Sequence, residues 1–224
     1  MTFSQRLYEN VKPIWRANHD HPFVRGIGDG TLDQEKFRFF MVQDYLYLID
    51  YARLFAMGAM KAKDVKTMGE FAELLHSTLN TEMELHRQYA REFGISEEEL
   101  ESAKPAPTTL AYTHYMLHVG NNGGLAELVA SLLPCMWSYA EIGKALDETP
   151  GARDHQYGEW IKMYASEEFQ ELTNWTINLL NELTEGKPEH ELSHLEEIFL
   201  TTTRFEYMFW EMSYQKETWP EEQQ

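Results

Sequence analysis

The sequence predicts an all-α protein, a single-domain helical bundle over residues 1–224. Three observations predict it. Apolar residues recur at the three-to-four spacing of a helix face along nearly the whole chain, and the alternation of half-buried strands is missing. The interruptions are short Gly- or Pro-bearing stretches that stop one helix and start another. And 224 residues, 43% of them hydrophobic and 25% charged, suffice for one substantial core, without repeats or low-complexity segments.

Eight or nine helices follow in order. The first runs from about Ser4 to Asn18 and yields to a loop, HDHPFVRGIGDG, with Pro22 and three glycines. Thr31 and Gln34 have capping-box spacing and start a long helix to about Lys63. A third begins near Asp64 and stops at Gly94. SEEELESAKPAP reads as a short helical turn and a proline-bearing connector. Thr108 or Thr109 caps the next helix, which ends at GNNGG. The helix that holds Pro134 and Cys135 runs to about Glu148, and TPGARDH turns the chain. Helices from His155 to Ser166 and from Ser166 to Glu185 divide at Ser166, a residue suited to cap the second. After the loop TEGKPEHE a final helix spans about His190 to Glu217.

Composition excludes some functions. Acidic residues outnumber basic ones 37 to 19, a net charge of −18. Such a surface repels phosphates and anionic headgroups, so neither nucleic acid nor membrane is an expected partner. The apolar stretch Leu128–Ala140 is 13 residues long and interrupted by Pro134, too short for a membrane span. The single cysteine, Cys135, forms no intrachain disulfide, which fits a reducing cytoplasm. The first residues lack the basic-then-apolar pattern of a signal peptide.

Function shows in polar residues on apolar faces. At 100° per residue, Asp44 lies mid-stripe among Phe37, Phe40, Met41, Tyr47, Leu48, Tyr51 and Phe55. A buried carboxylate is expensive unless paired; tyrosine hydroxyls or a bridge to Arg53 or Arg204 would serve. Glu206 is equally central among Leu192, Leu195, Phe199, Phe209 and Trp210, where desolvation raises its pKa toward that of a neutral-pH proton donor. Cys135 shares its face with Leu128, Ser131, Tyr139 and Ile142. Taken alone, a buried cysteine is ordinary core filler. Glu82 and His86, four apart beside the stripe Met68, Phe71, Leu75 and Leu79, read as a mutually bonded core pair. Inward acids, a thiol and several tyrosines together describe an aromatic-lined polar pocket for a flat, hydrogen-bonding small molecule. Glu73–His76 and Glu191–His194 have the Glu-x-x-His spacing of di-iron bundles, but both project off the apolar faces and read as surface, so no metal is expected.

At these residues the chain resembles thiaminase II, the TenA family of the haem-oxygenase-like α-helical fold. The segment HPFVRGIGDGTLDQEKFRFFMVQDYLYLIDYAR carries the most specific likeness, in His21-Pro22-Phe23, Gly30-Thr31-Leu32 and Gln43-Asp44-Tyr45-x-Tyr47-Leu48. LLPCMWSYAEIG and TTRFEYMFWEM add a cysteine and a glutamate in the right order. The resemblance implies a cytoplasmic homotetramer without cofactor or metal. It would hydrolyse aminopyrimidines from degraded thiamin to hydroxymethylpyrimidine, and in many members thiamin itself. It further implies that Cys135 is the nucleophile and Glu206 the acid–base group. Asp44 would contact both the pyrimidine and the thiol, and Tyr47, Tyr112, Tyr139 and Tyr164 would line the pocket. Two other classes compete: a di-iron oxygenase on the same fold, and a non-catalytic regulatory binder that could dispense with Cys135.

Overall fold

The structure, a computed structural model, describes residues 1–220; residues 221–224 of the expected domain lie outside the described residues. Among the described residues there are eleven α-helices, one π-helical turn and no strand, which agrees with the all-α reading.

Helix α1 (Phe3–His19) is capped by Thr2 and Gln5 in a capping box. The segment expected to be a loop holds a second helix, α2 (Pro22–Asp29). Proline is favoured in a first turn, and the His21 side chain caps it by accepting from the Phe23 amide at 3.1 Å. Phe23, Val24 and Ile27 are buried, which binds even this glycine-rich piece to the core. Gly30 ends it in the left-handed region, at φ +75°, where a side chain would be strained. The expected cap at Thr31 is a further correction. Asp33 caps α3 (Gln34–Lys61), accepting from the amides of Glu35 and Lys36, while Thr31 bonds back to Asp29.

The third expected helix is continuous in space but changes winding. Asp64 caps α4 (Val65–Ser77); a π-helical turn, Thr78–Glu82, then leads into α5 (Met83–Glu92). A π turn adds a residue to the helical circuit and rotates the following face. Met83, His86, Tyr89 and Ala90 are therefore buried beyond it, whereas Leu79, assigned to the apolar stripe, is 42% exposed. Short α6 (Glu97–Ser102) follows. Helix α7 (Pro107–Asn122) starts at Ala106, not at a threonine. The Gln43 side chain accepts the Ala106 amide at 2.8 Å and the Thr109 hydroxyl at 2.8 Å. The remaining helices are α8 (Leu125–Asp147), α9 (Gly158–Tyr164), α10 (Glu167–Thr184, capped by Ser166) and α11 (Glu189–Gln215).

Two long helices organise the bundle. Helix α8 is buried on nearly every side, as an all-round apolar helix must be. It meets α7, α9, α10 and α11, and α3 meets α4, α5, α7, α8 and α11. Phe37, Phe40, Phe55 and Trp210 are fully buried where these helices converge. At about 1.5–3 kcal/mol per buried large apolar side chain, this shared core outweighs the propensity of any one helix. Gly143 lets α8 touch the backbone of the α9 terminus: a Cβ there would stand 2.6 Å from the Tyr164 carbonyl carbon.

Candidate active site

A cavity opens between α3, the π turn, α8, α9 and α10. It holds about 660 Å³ of non-atom space, the solvent at its opening included. Its inner wall is Asp44, Tyr47, Tyr51, Cys135 and Tyr139; Ser77, Thr81, Ser166 and Glu168 stand at the more exposed end. Glu82 and Tyr164 also line it. Five of the seven residues expected to form the site thus face one cavity. Glu206 and Tyr112 form a layer behind it: the Tyr112 hydroxyl donates a short hydrogen bond to Glu206 Oε1, and its ring stands 5.2 Å from that of Tyr47.

Cys135 rides the first turn after Pro134. The proline has no amide to donate, yet α8 runs through it unbroken. The thiol is crowded by tyrosines. Tyr47 lies within reach of the sulfur while its hydroxyl donates to Met116 Sδ at 3.8 Å, and Tyr51 gives its proton to the Leu132 carbonyl at 2.7 Å. Burial pushes the Cys135 thiol well above its ordinary pKa; the Glu206 charge adds to this, and the nearby Tyr47 hydroxyl opposes it. Cys135 therefore rests as a thiol at neutral pH.

Asp44 has neither arginine as a partner. Arg53 pairs with Asp50 on the surface, and Arg204 is exposed. Its partner is His86, whose Nε2 lies 2.6 Å from Asp44 Oδ2, both side chains buried. His86 Nδ1 lies 2.8 Å from the Glu82 carbonyl oxygen, which can only accept, so Nδ1 carries a proton. The short Nε2–Oδ2 contact then needs a second proton, shared between imidazole and carboxylate. Burial pulls the His86 pKa down, but the hydrogen bond and charge of Asp44 outweigh it, and the net shift is upward. Glu82 and His86 are thus joined through the Glu82 backbone, not through side chains as their spacing suggested.

The Glu82 carboxyl turns to the cavity instead, and its Oε1 accepts from the Tyr164 hydroxyl at 3.1 Å. Burial, reinforced by the Asp44 charge, pushes Glu82 up to about 7. Burial likewise pushes Glu206 up to about 8; the Tyr112 hydrogen bond opposes this, and the Asp44 charge adds to it. Two carboxyl groups poised near neutrality flank one thiol, a combination suited to acid–base and nucleophilic chemistry. Aromatic rings frame it: Tyr139 stacks on Trp210 at 5.1 Å and meets Tyr164 edge-on at 4.9 Å.

Residues 8–216 match the TENA/THI-4/PQQC family. The chain belongs to that family. It is 58% identical to an aminopyrimidine aminohydrolase of Halalkalibacterium halodurans over 98% of both chains. It is 47% identical to one of Helicobacter pylori, over 96% of this chain and all of the other. Among solved structures, a TenA homologue from P. horikoshii superimposes with a TM-score of 0.87 at 31% identity, covering 96% of this chain and 99% of that one. A haem oxygenase from the cyanobacterium Synechocystis superimposes at 0.66 with 14% identity, covering 94% and 91%, and establishes the haem-oxygenase-like fold alone.

The site also contains residues that the sequence pattern did not single out. Tyr51 looked like one more core tyrosine, and His86 like half of a local pair. Their partners, Leu132 and Asp44, lie on other helices, so no spacing along the chain reveals them. Among the described residues no three His, Cys, Asp or Glu side chains are grouped to hold a metal. Glu73, His76 and His194 are exposed and Glu191 is partly so, as their projection off the apolar faces suggested.

Proposed function

We propose that the protein is an aminopyrimidine aminohydrolase of thiamin salvage. It would convert 4-amino-5-aminomethyl-2-methylpyrimidine to the 5-hydroxymethyl compound and ammonia, and hydrolyse thiamin by the same route. The observation that carries this reading is the thiol of Cys135, set in a tyrosine-lined cavity with Glu206 behind it and Asp44 beside it. The relatives' names support the substrate class.

Glu206, protonated at neutral pH, donates its proton to a ring nitrogen and becomes a carboxylate. Its Oε2, held only by a 3.4 Å contact from Ser138, is the oxygen available for this. The ring is now electrophilic. The Cys135 thiol loses its proton to Asp44 within the bound complex as the sulfur adds to a ring carbon. The exocyclic carbon–nitrogen bond breaks, nitrogen keeps the electron pair, and the ring acquires an exocyclic methylene. Water adds there and gives up one proton, the electrons return to the ring, and the carbon–sulfur bond breaks with its pair on sulfur, which takes its proton back from Asp44. Glu206 recovers its proton as the ring nitrogen gives it up. Tyr47 and Tyr139 supply ring faces against the pyrimidine.

The test is ammonia release from the aminomethylpyrimidine by wild type and Cys135→Ser. The variant should bind pyrimidine and release none; full turnover would remove the nucleophile assignment. The ratio of kcat/KM among the aminomethyl compound, its formylated form and thiamin ranks the substrates. The same reading makes the protein a cytoplasmic homotetramer that works without a cofactor, which light scattering and metal analysis of the purified chain would test.

A further inference from the structure

The mechanism above leaves two cavity-lining carboxyl groups without a task, the exposed Glu168 and the more enclosed Glu82. Glu82 ends the π turn Thr78–Glu82, and that change of winding places its carboxyl on the cavity and His86 on the core. π turns recur at functional sites because they re-aim one side chain at the expense of regular bonding. Its anchors are specific. Tyr164 holds Oε1, and the Glu82 carbonyl holds His86 and through it Asp44. Glu82 adjoins Ser77, Thr81, Ser166 and Glu168, the polar, more exposed end of the cavity. Water and an expelled amine must pass this end to reach or leave the thiol region. Glu206 is not placed to serve there: it stands at the inner side, bonded to Tyr112 and Ser138, away from this end.

Building on the aminohydrolase reading, we propose that Glu82 is a further catalytic residue, the general base that takes a proton from the water adding to the exocyclic methylene. The atoms balance. The amine enters as an ammonium cation, which pairs with the Glu82 carboxylate and holds it ionised. When its carbon–nitrogen bond breaks with the pair on nitrogen, neutral ammonia departs and Glu82 is left as a free carboxylate. A water molecule takes the vacated place. Its oxygen bonds the methylene carbon, one of its protons goes to Glu82, and the electron pair of the exocyclic double bond returns to the ring. Glu82, near neutrality by burial, then gives that proton to bulk water through the polar mouth. Glu206 serves the ring nitrogen and Glu82 the side arm, so each carboxyl handles one proton.

Glu82→Gln keeps size and the Tyr164 contact but removes the base. With the aminomethylpyrimidine it should release about one equivalent of ammonia per chain and then stall. Turnover should fall by roughly 10²–10⁴-fold. Intact-mass measurement should find the pyrimidine retained on Cys135. Azide, a nucleophile with no proton to lose, should restore turnover in the variant, give the azidomethyl product, and leave the wild-type rate unimproved. A structural role for Glu82 would not create azide dependence. Wild-type-like turnover of Glu82→Gln, a stall with no ammonia burst, or indifference to azide would overturn the proposal. Glu82→Ala, which also removes the base, is judged by the same azide criterion should the glutamine variant misfold. Wild type runs in parallel: no ammonia from wild type refutes the aminohydrolase reading itself, whereas active wild type with unimpaired Glu82→Gln refutes only this role.

Discussion

Glu206→Gln should make the protein more stable while abolishing its reaction, and the stability gain should depend on pH. In the folded chain burial pushes this carboxyl from 4.5 to about 8. The unfolded chain releases the proton near the lower value and the native chain near the higher one. Between them the native state binds more protons, so wild-type stability falls as pH rises from about 4.5 to 8. The cost is absent below that window and complete above it. At about 1.4 kcal/mol per pH unit, the full penalty is on the order of 5 kcal/mol. Glutamine has nothing to ionise, and its side-chain oxygen still accepts from Tyr112. Near pH 5 the two proteins should unfold at similar denaturant concentrations. Near pH 9 the variant should be several kcal/mol more stable, with a melting temperature higher by roughly 10 °C or more. Urea unfolding and calorimetry at both pH values measure this. A stability difference that does not vary with pH, or a wild type that gains stability on alkalinisation relative to the variant, would refute the assignment of Glu206 as a buried acid neutral at pH 7.

Tyr112→Phe removes a hydrogen bond that lowers the Glu206 pKa, so that pKa should rise. The protonated acid is the active form, so kcat/KM declines as pH climbs through it. At about 1.5–3 kcal/mol for a bond to a charged group, the alkaline limb should move up by about one pH unit or more in a pH–rate profile. His86→Leu leaves Asp44 buried without its partner and should cost about 3–5 kcal/mol in urea unfolding. Because the His86 pKa is raised on folding, the pair's contribution is full below the ordinary histidine value of 6.5 and is lost as pH rises through the folded value. The gap between wild type and His86→Leu should therefore narrow on alkalinisation. Gly143→Ala puts a methyl 2.6 Å from the Tyr164 backbone, which cannot rotate away as a side-chain tip would. It should destabilise by roughly 1–3 kcal/mol in thermal unfolding and raise KM, since α9 must move and carry Tyr164 with it.

Helix existence and side-chain rotation about each helix axis were legible in the sequence, because both are local. A period of 3.6 places Asp44 and Glu206 on apolar stripes whatever lies opposite, and both are buried. The same arithmetic brought Cys135 and Tyr139 to one wall of the cavity. It went wrong where winding or capping depended on neighbours. The π turn shifted the face of the third helix and exposed Leu79. Gln43, far away in the chain, replaced the expected threonine cap of α7. The buried pocket of Phe23 and Ile27 made a helix of an apparent loop.

What the sequence by itself determined is therefore the set of helices, the burial of two acids that an inert core would exclude, and motifs distinctive enough to reveal a resemblance to the TenA family. Only the tertiary structure decided which groups share protons. Asp44 meets His86 across 42 residues, Glu82 meets Tyr164 across 82, and Glu206 meets Tyr112 across 94. A hydrogen bond reaches about 3 Å, and periodicity gives only the direction in which a side chain leaves its own helix. Which donor stands there depends on how α3, α5, α7, α8, α9 and α11 pack, and the pKa values that make the site reactive depend on those partners.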